Sequence, residues 1–372
     1  MGGAADEQSG PIAVYGATGY TGKLVAAELR RRGADFVLAG RNRAKLESVA
    51  EELGGAETRA ASLDDASALR ELLEPCAAVI AVAGPFQLHG EPVLRAAVES
   101  STHYLDTTGE QPFMRRVFEE FGGPAERTGA ALITAMGFDY VPGDMIAALT
   151  AEGMGPLDDV LLAYSAEGFG ASRGTALSAI GMLSGGDFEW LEGRLAPASQ
   201  TVSRGTFEFP APIGRQRMVR YPAGEHVTVP RHVETRNVRS MLNATAVVPD
   251  PRLVAGAPIA MAPLRLALRT PLRRLAEAGV ARLPEGPSPE ARARARFTIA
   301  CEARAGARSR RGVVSGPDMY GLTARTTVAG ALACAAPGFD RAGALAPSQA
   351  FDPREFLDSL GDFGVAYELS PA

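Results

Sequence analysis

Hydrophobic and polar positions alternate along the first third of the chain in two rhythms. Short apolar runs rich in β-branched and small residues predict six strands, near Ile12–Tyr15, Phe36–Gly40, Thr58–Ala61, Ala78–Ala83, His103–Asp106 and Ala131–Ala135. Between them, apolar residues recur every three or four positions and predict helices at Lys23–Arg32, Arg43–Leu53, Ala66–Leu73, Glu91–Ser100 and Phe113–Arg127. This alternation is typical of right-handed βαβ units. It predicts a doubly wound parallel α/β sheet of the Rossmann type.

The rhythm changes after Gly137, where longer loops and polar strand-like pieces predict a second, α+β domain with a mixed sheet. Its predicted elements are strands at Thr206–Phe209, His226–Val229 and Phe297–Ala303, a turn at Ala305–Gly312, a buried helix at Thr323–Ala333 and one or two proline-interrupted helices within 251–289. The predicted organisation is a flexible tail (1–10), a nucleotide-binding domain (11–139) and a substrate-binding and dimerisation domain (140–342).

Composition and charge narrow the function classes. A net charge of -5 gives no attraction to nucleic acid, so we expect no nucleic-acid partner. The three cysteines, Cys76, Cys301 and Cys334, lack metal-ligand spacing, so no metal site is predicted. The N-terminus lacks the features of a secretory leader, and no apolar run is long enough to span a membrane, so we expect a cytoplasmic protein. Arginines along Leu253–Leu283 suggest a membrane-surface helix, but its prolines favour a core helix or a homodimer interface.

The strongest chemical signal is a glycine-rich loop between the first predicted strand and helix. Gly16 allows a tight turn, Gly19 lets the backbone approach a pyrophosphate, and Gly22 allows close helix packing. The helix that follows would present backbone N–H donors to an anion. The predicted cofactor-binding residues here are Gly16, Thr18, Gly19, Tyr20, Thr21 and Gly22.

The ends of the next strands indicate which cofactor is bound. Arg41 stands where an NAD enzyme places an acidic residue on the ribose, and a guanidinium favours the 2′-phosphate of NADP(H). Ser62 follows the third strand and is predicted to border the adenine, although Asp64 or Asp65 beside it would also suit a helix cap. The loop after the fourth strand is predicted to wall the nicotinamide, through Ala83, Gly84, Pro85 and Phe86.

Several proton donors fall on loops at the same predicted edge. The candidate catalytic residues are Tyr140, Asp139, His89 and Asp106, with Tyr104 and Glu110 also nearby. Helix capping is an equal alternative for Asp106 and Glu110, and a buried core tyrosine for Tyr140. For His89, a structural place in the first turn of a helix is favoured over catalysis.

The second domain offers two candidate anion sites. Arg173 and Thr175 precede an apolar helical run and are predicted to bind a substrate carboxylate or phosphate, with a helix cap as the alternative. The cluster Arg308–Arg311 is more typical of a solvated hairpin tip, although a phosphopantetheine or CoA group would also meet it.

Together these segments resemble the saccharopine dehydrogenase-like oxidoreductases, including the trans-acting enoyl reductases of actinobacteria. The motifs that carry the resemblance are Gly16–Gly22, Ala39–Arg41, Ala83–Phe86, Tyr104–Asp106 with Gly109–Glu110, Gly137–Asp144 and Gly316–Tyr320. The resemblance implies NADP(H) dependence, a mixed-sheet second domain, often a homodimer, and a C-terminal segment (343–372) that packs back on the nucleotide domain. Tyr140 and Val141 separate the motif's aspartate from its proline, unlike in the lysine-pathway enzymes, which argues against saccharopine as substrate.

These observations predict an NADPH-dependent reductase of a C=N or conjugated C=C bond in a small metabolite. The alternatives are a trans-acting enoyl reductase on a thioester-bound substrate, and a non-catalytic NADP-binding scaffold or redox sensor.

Overall fold

A computed structural model describes residues 9–184, 186–198, 204–247, 268, 270 and 272–371. The chain divides into two compact units, each made of two chain segments. Unit 1 comprises Met1–Phe138 and Tyr320–Ala350, and unit 2 comprises Asp139–Met319 and Phe351–Ala372. Most of the predicted tail, residues 1–8, lies outside the described residues.

Unit 1 contains a seven-stranded sheet in the order β15-β6-β5-β4-β1-β2-β3, in which every pair is parallel. Its strands are β1 Ile12–Tyr15, β2 Phe36–Gly40, β3 Glu57–Ala60, β4 Ala78–Ala81, β5 His103–Asp106, β6 Ala131–Ile133 and β15 Gly343–Leu345. Its helices are α1 Tyr20–Arg31, α2 Arg43–Glu52, α3 Ala66–Leu73, α4 Phe86–Glu99, α5 Gln111–Arg116, α6 Gly122–Thr128, α13 Met319–Ala335, whose first residue belongs to unit 2, and α14 Pro347–Ala350. The prediction of a Rossmann-type parallel sheet is confirmed.

The central strands of unit 1 consist of small and branched apolar residues because helices cover both faces of the sheet. Every residue of β1, β2 and β4 is buried. Two helices differ from their prediction. Helix α4 begins at Phe86, five residues before the predicted start, and the predicted helix Phe113–Arg127 is interrupted by a π-helical turn at Val117–Phe121.

Unit 2 contains a mixed sheet in the order β10-β11-β12-β7-β13-β14-β16, with β8 paired to β12 and β9 paired to β8. Only the β12–β7 pair is parallel among the described strand pairs of this sheet. The strands are β7 Leu157–Glu167, β8 Phe188–Leu191, β9 Arg194–Pro197, β10 Arg204–Glu208, β11 Arg215–Arg220, β12 Thr235–Asn243, β13 Arg296–Ala305, β14 Arg308–Pro317 and β16 Ala366–Leu369. The helices are α7 Val141–Ala151, α8 Arg173–Ser184, α9 Glu225–Thr228, α10 Ala244–Val247, α11 Leu272–Val280, α12 Pro289–Arg294 and α15 Pro353–Asp358.

Two predictions for the second domain need correction. The strand expected at His226–Val229 is the short helix α9 followed by a 3-10 turn, because four consecutive buried residues fit a helical turn better than an alternating strand. The turn expected at Ala305–Gly312 is confined to Gly306 and Ala307, since β13 and β14 pair up to Ala305 and Arg308. Of the segment 251–289, expected to form one or two helices, residues 251–267, 269 and 271 lie outside the described residues, and the described part contains helix α11.

The C-terminal segment also differs from its prediction. Strand β15 pairs with β6 in unit 1, as expected for a segment that returns to the nucleotide domain. The residues from Phe351 onward instead join unit 2, where β16 pairs with β14 along Gly312–Ser315. Within the described part of the chain, no helix is long and apolar enough to cross a membrane.

Candidate functional site

The glycine loop lies between β1 and α1 of unit 1. Gly16 has φ +96°, a conformation that side chains rarely adopt, so the chain turns here because this residue is glycine. A Cβ on Gly22 would overlap the Gly16 carbonyl oxygen and lie 2.8 Å from Ala17 Cα, so Gly22 lets the helix pack against the loop. A Cβ on Gly19 would meet only the Gly16 carbonyl oxygen, at 3.4 Å. Gly19 therefore keeps its outer side open for a ligand.

The start of α1 can receive an anion. The helix's first hydrogen bond runs from the Lys23 N–H to the Gly19 carbonyl at 2.9 Å, so the helix itself does not use the preceding amides, such as that of Thr21. The first turn, which is fully described, contains no acidic residue. Tyr20 packs edge-on against Tyr320 with ring centroids 5.1 Å apart, which fixes this turn within unit 1.

Arg41 lies exposed directly after β2, beside the next strand ends. The Tyr15 hydroxyl donates to the Ala61 carbonyl at 3.0 Å and thereby joins the ends of β1 and β3. Burial raises the pKa of Tyr15, while the nearby Arg41 charge lowers it and Asp64 raises it. Asp65 caps α3 by accepting from the Ala68 N–H at 3.0 Å, and Ser62 is exposed.

The loop predicted to wall the nicotinamide is held by a buried carboxylate. Glu110 is fully buried, and its two oxygens accept from the amides of Phe86 at 2.8 Å and Gln87 at 2.9 Å. These bonds satisfy donors at the start of α4, which explains why the helix begins at Phe86. Ala83 and Gly84 are partly buried, and Pro85 is buried. The capping role considered for Glu110 is the one that its contacts show.

Asp106 is also fully buried at the end of β5. Its Oδ1 accepts from the amides of Thr108 and Ala135, at 2.9 and 3.0 Å, and from the Thr134 hydroxyl at 3.0 Å. Burial raises its pKa to about 6, against the opposing effect of these hydrogen bonds and of the Tyr104 hydroxyl beside it. The carboxyl thus ties the loops after β5 and β6 together. His89 is exposed in the first turn of α4, where its amide donates to the Pro85 carbonyl at 3.0 Å.

These features fit NADP(H). The open side of Gly19 and the donors at the start of α1 suit a pyrophosphate, and the exposed guanidinium of Arg41 suits a 2′-phosphate. The loop from Ala83 to Phe86 lies at the carboxyl end of β4, the edge at which ligands of such sheets bind.

In unit 2, the segment from Asp139 to Asp144 borders a cluster of buried polar side chains. Tyr140 precedes α7 and is 2% exposed, and its hydroxyl lies 3.3 Å from that of Tyr221, which is partly buried. Burial raises the pKa of both phenols, and the neighbouring Asp139 raises each further. Both phenols are therefore neutral at physiological pH and keep their hydroxyl protons. Asp139 itself is partly buried, and burial raises its pKa to about 6.

The same cluster contains a fully buried glutamate. Tyr164 of β7 bonds to Glu225 Oε1, and the Tyr164 hydroxyl also donates to the Asp139 carbonyl at 3.0 Å. A Cβ on Gly143 would overlap both Glu225 Oε1 and the Tyr164 hydroxyl, so this motif position must stay glycine. Asp144 Oδ1 lies 2.9 Å from His232 Nε2.

Arg173 and Thr175 occupy the start of α8. The Ser172 hydroxyl accepts from the Thr175 amide at 3.2 Å and lies 3.0 Å from the Thr175 hydroxyl, so Ser172 caps the helix. Arg173 is partly buried, and its Nε donates to the Leu283 carbonyl. These contacts match the capping alternative, and an anion-binding role for Arg173 stays a prediction.

The basic cluster lies at the start of strand β14, directly after the two-residue turn at the tip of the β13–β14 hairpin. Its arginines bind backbone carbonyls of unit 2: Arg308 that of Met154 and Arg310 that of Glu152, both at 2.6 Å, and Arg311 that of Glu208. These contacts give the cluster a structural use.

Sequence reasoning missed Tyr221, Tyr164, Glu225 and His232. None of them belongs to a recognisable motif, and Tyr221 and Glu225 are separated from Tyr140 and Tyr164 by 81 and 61 residues. One available signal was the segment Tyr221–His226, which places a tyrosine, a glutamate and a histidine within six residues at the start of the predicted strand His226–Val229.

Comparison with known proteins supports this description of unit 1. Residues 12–135 match the family model described as the saccharopine dehydrogenase NADP binding domain. A trans-acting enoyl reductase of Mycobacterium tuberculosis is 37% identical over 145 residues, 37% of this chain and 35% of its own length. A lipid droplet localized protein of Caenorhabditis elegans is 30% identical over 146 residues, 36% of this chain and 34% of its own.

A longer alignment, to another Mycobacterium tuberculosis relative, covers 185 residues at 37% identity, 46% of this chain and 44% of the relative. The chain therefore spans less than half the length of these curated relatives. The saccharopine dehydrogenase (L-Glu forming) of Saccharomyces cerevisiae superposes with a TM-score of 0.59 over 97% of this chain and 100% of that one, at 15% identity, so the two share a fold. Residues 12–135 thus match the saccharopine dehydrogenase NADP binding domain, which confirms the predicted resemblance over this part of the chain and the predicted cofactor, NADP(H).

Proposed function

We propose that this protein is an NADPH-dependent reductase that saturates a conjugated C=C bond of a thioester-bound or small metabolite. The observation that carries the proposal is the pair of neutral phenols, Tyr140 and Tyr221, with hydroxyls 3.3 Å apart. Reduction of an enoyl group needs a proton donor as well as a hydride, whereas a protonated imine needs little more than orientation. The relatives named trans-acting enoyl reductases support the same choice.

Each residue has a role in this proposal. NADPH, when bound, would supply the hydride for the β-carbon of the enoyl group. The glycine loop and Arg41 hold the pyrophosphate and 2′-phosphate, and Glu110 keeps the loop around Pro85 in place. The phenol pair gives a proton to the α-carbon and regains one from solvent. Tyr221 is the more exposed member and contacts the substrate, while Tyr140 supports it by hydrogen bonding.

Two of the candidates predicted from the sequence receive other roles. Asp106, with three hydrogen bonds to neighbouring loops, maintains the sheet edge, and His89 is a surface residue of α4. Asp139, whose pKa of about 6 is close to the working range of a general acid or base, tunes the phenols beside it.

The test follows NADPH oxidation at 340 nm with enoyl thioesters, cyclic imines and keto acids. We expect turnover with enoyl thioesters, and a loss of kcat of about 10²–10⁴-fold in Tyr221→Phe and Tyr140→Phe, with NADPH affinity unchanged. Tyr367→Phe, which removes a hydroxyl that bonds to Asp358, is the matched control. Turnover only with imines would shift the substrate to a C=N bond. NADPH binding without turnover of any class would favour the non-catalytic scaffold.

A further inference from the structure

The Tyr164 hydroxyl has two neighbours and only one proton to give. Glu225 Oε1 lies on one side, and the Asp139 carbonyl oxygen lies 3.0 Å away on the other. A backbone carbonyl can only accept a hydrogen bond. Both contacts are satisfied when Tyr164 donates to Asp139 and Glu225 donates to Tyr164. This arrangement requires Glu225 to be a neutral carboxylic acid.

The surroundings of Glu225 agree with a neutral acid. Glu225 is 0% exposed, and its Oε2 accepts no hydrogen bond from any described residue. Burial raises the pKa of this carboxyl well above its ordinary value. A hydrogen bond from the backbone amide of Glu225 lowers the pKa in part, and the negative charges of Asp144 and Asp139 raise it. An ionised carboxylate here would compete with the Asp139 carbonyl for the Tyr164 proton.

Titratable groups face Glu225 from each element packed around it. Asp144 belongs to α7, Asp139 precedes that helix, and Tyr164 and Cys301 belong to β7 and β13. The Asp144 carboxylate is itself bonded to His232, 2.9 Å away. No arginine or lysine forms an ion pair with Glu225 among the residues that the structure describes, so no cation favours the ionised form.

Tyr164 is connected to both members of the phenol pair. Its hydroxyl holds the carbonyl of Asp139, the residue before Tyr140. Its ring packs edge-on against Tyr221 with centroids 5.5 Å apart. A bond from Glu225 that fixes Tyr164 therefore also fixes the backbone before Tyr140 and the ring of Tyr221.

We propose that Glu225, as a neutral carboxylic acid, positions the Tyr140–Tyr221 proton donor through Tyr164, and that its ionisation at alkaline pH releases the pair and lowers turnover. This inference rests on the proposed reductase function. Glu225 is a positioning residue in it and touches no substrate.

The test compares Glu225→Gln and Glu225→Ala with the wild-type chain. The glutamine amide can donate to Tyr164 but cannot ionise. Glu225→Gln therefore keeps kcat at pH 7 within about threefold of the wild-type value and removes the alkaline fall in kcat. Glu225→Ala leaves Tyr164 without this donor, and kcat falls at least tenfold with NADPH affinity unchanged. Glu234→Gln, at an exposed glutamate of unit 2, is the matched control and keeps the wild-type pH profile.

A second measurement does not depend on turnover. Infrared difference spectra of wild type and Glu225→Gln at pH 8 should show a protonated-carboxyl C=O band that is absent from the variant. Its absence from the wild type, or an alkaline fall in kcat that persists in Glu225→Gln, overturns the inference. If the wild type reduces no substrate, the proposed function fails, while the infrared band still decides whether Glu225 is a neutral acid.

Discussion

Gly19 and Gly22 lie three residues apart in one loop, yet the structure predicts opposite consequences for their substitution. Gly19 has φ −82° and ψ 167°, an extended conformation that any residue adopts, and an added Cβ would meet only the Gly16 carbonyl oxygen at 3.4 Å. Gly19→Val therefore leaves the fold intact. Its side chain fills the space through which a pyrophosphate approaches, so NADPH affinity should fall at least tenfold, about 1.4 kcal/mol or more.

Gly22→Ala places a methyl group against the Gly16 carbonyl oxygen and 2.8 Å from Ala17 Cα, where backbone must shift to make room. Overpacking of this kind costs about 1–3 kcal/mol, which lowers the melting temperature of a unit of this size by about 2–4 °C for each kcal/mol. The two variants are compared by NADPH fluorescence titration and by thermal unfolding. Normal NADPH binding by Gly19→Val, or an unchanged melting temperature for Gly22→Ala, would refute this account of the loop.

The remaining predictions concern charge. Wild-type protein should bind NADPH at least tenfold more tightly than NADH, and Arg41→Ala should remove this preference, since the lost charge-assisted bonds are worth about 1.5–3 kcal/mol. Arg95→Ala is the control. Equal wild-type titrations for the two cofactors, or the same loss of preference in Arg95→Ala, would contradict the prediction. Asp106 has a pKa raised to about 6, so folding favours its neutral form. Its contribution to the free energy of unfolding is lost as the pH rises from about 4 through 6. The stability of Asp106→Asn relative to wild type should therefore increase by up to about 3 kcal/mol between pH 4 and pH 8, measured by urea unfolding, and a pH-independent difference would count against the assignment. Arg173→Ala should chiefly raise KM if its guanidinium holds an anionic substrate group, and unchanged kinetics would leave it as a helix-start residue bonded to Leu283.

The sequence was most informative where structure depends on neighbours in the chain. Strands β1, β2 and β5 match their predicted limits, because a strand buried on both faces is a continuous apolar run whose ends are marked by turns. The glycine loop was equally readable, since each glycine has a local steric reason. Both predictions rest on contacts within a few residues.

Contacts distant in sequence were not readable in the same way. The start of α4 depends on Glu110, 24 residues away, so periodicity alone placed it too late. The partners of Tyr140 and Tyr164 are Tyr221 and Glu225, which precede the strand predicted at His226–Val229, and no spacing rule connects them. Hydrogen bonds between remote polar side chains depend on how the elements pack, which one sequence does not specify.

The division of unit 1 into two chain segments has a consequence for how the protein is synthesised. The loop after β6 is secured by α13, whose Thr326 hydroxyl donates to the Met136 carbonyl at 2.7 Å and whose Thr323 hydroxyl accepts from the Phe138 amide at 3.0 Å. The edge of the sheet is completed by β15. When only the residues up to Phe138 have been synthesised, strands β1 to β6 are present, but α13 and β15, which complete this part of unit 1, are not. The nucleotide-binding unit comes first in the sequence, but it can complete its sheet only after Leu345 has been synthesised. The described residues of unit 2 up to Met319 are translated before that point.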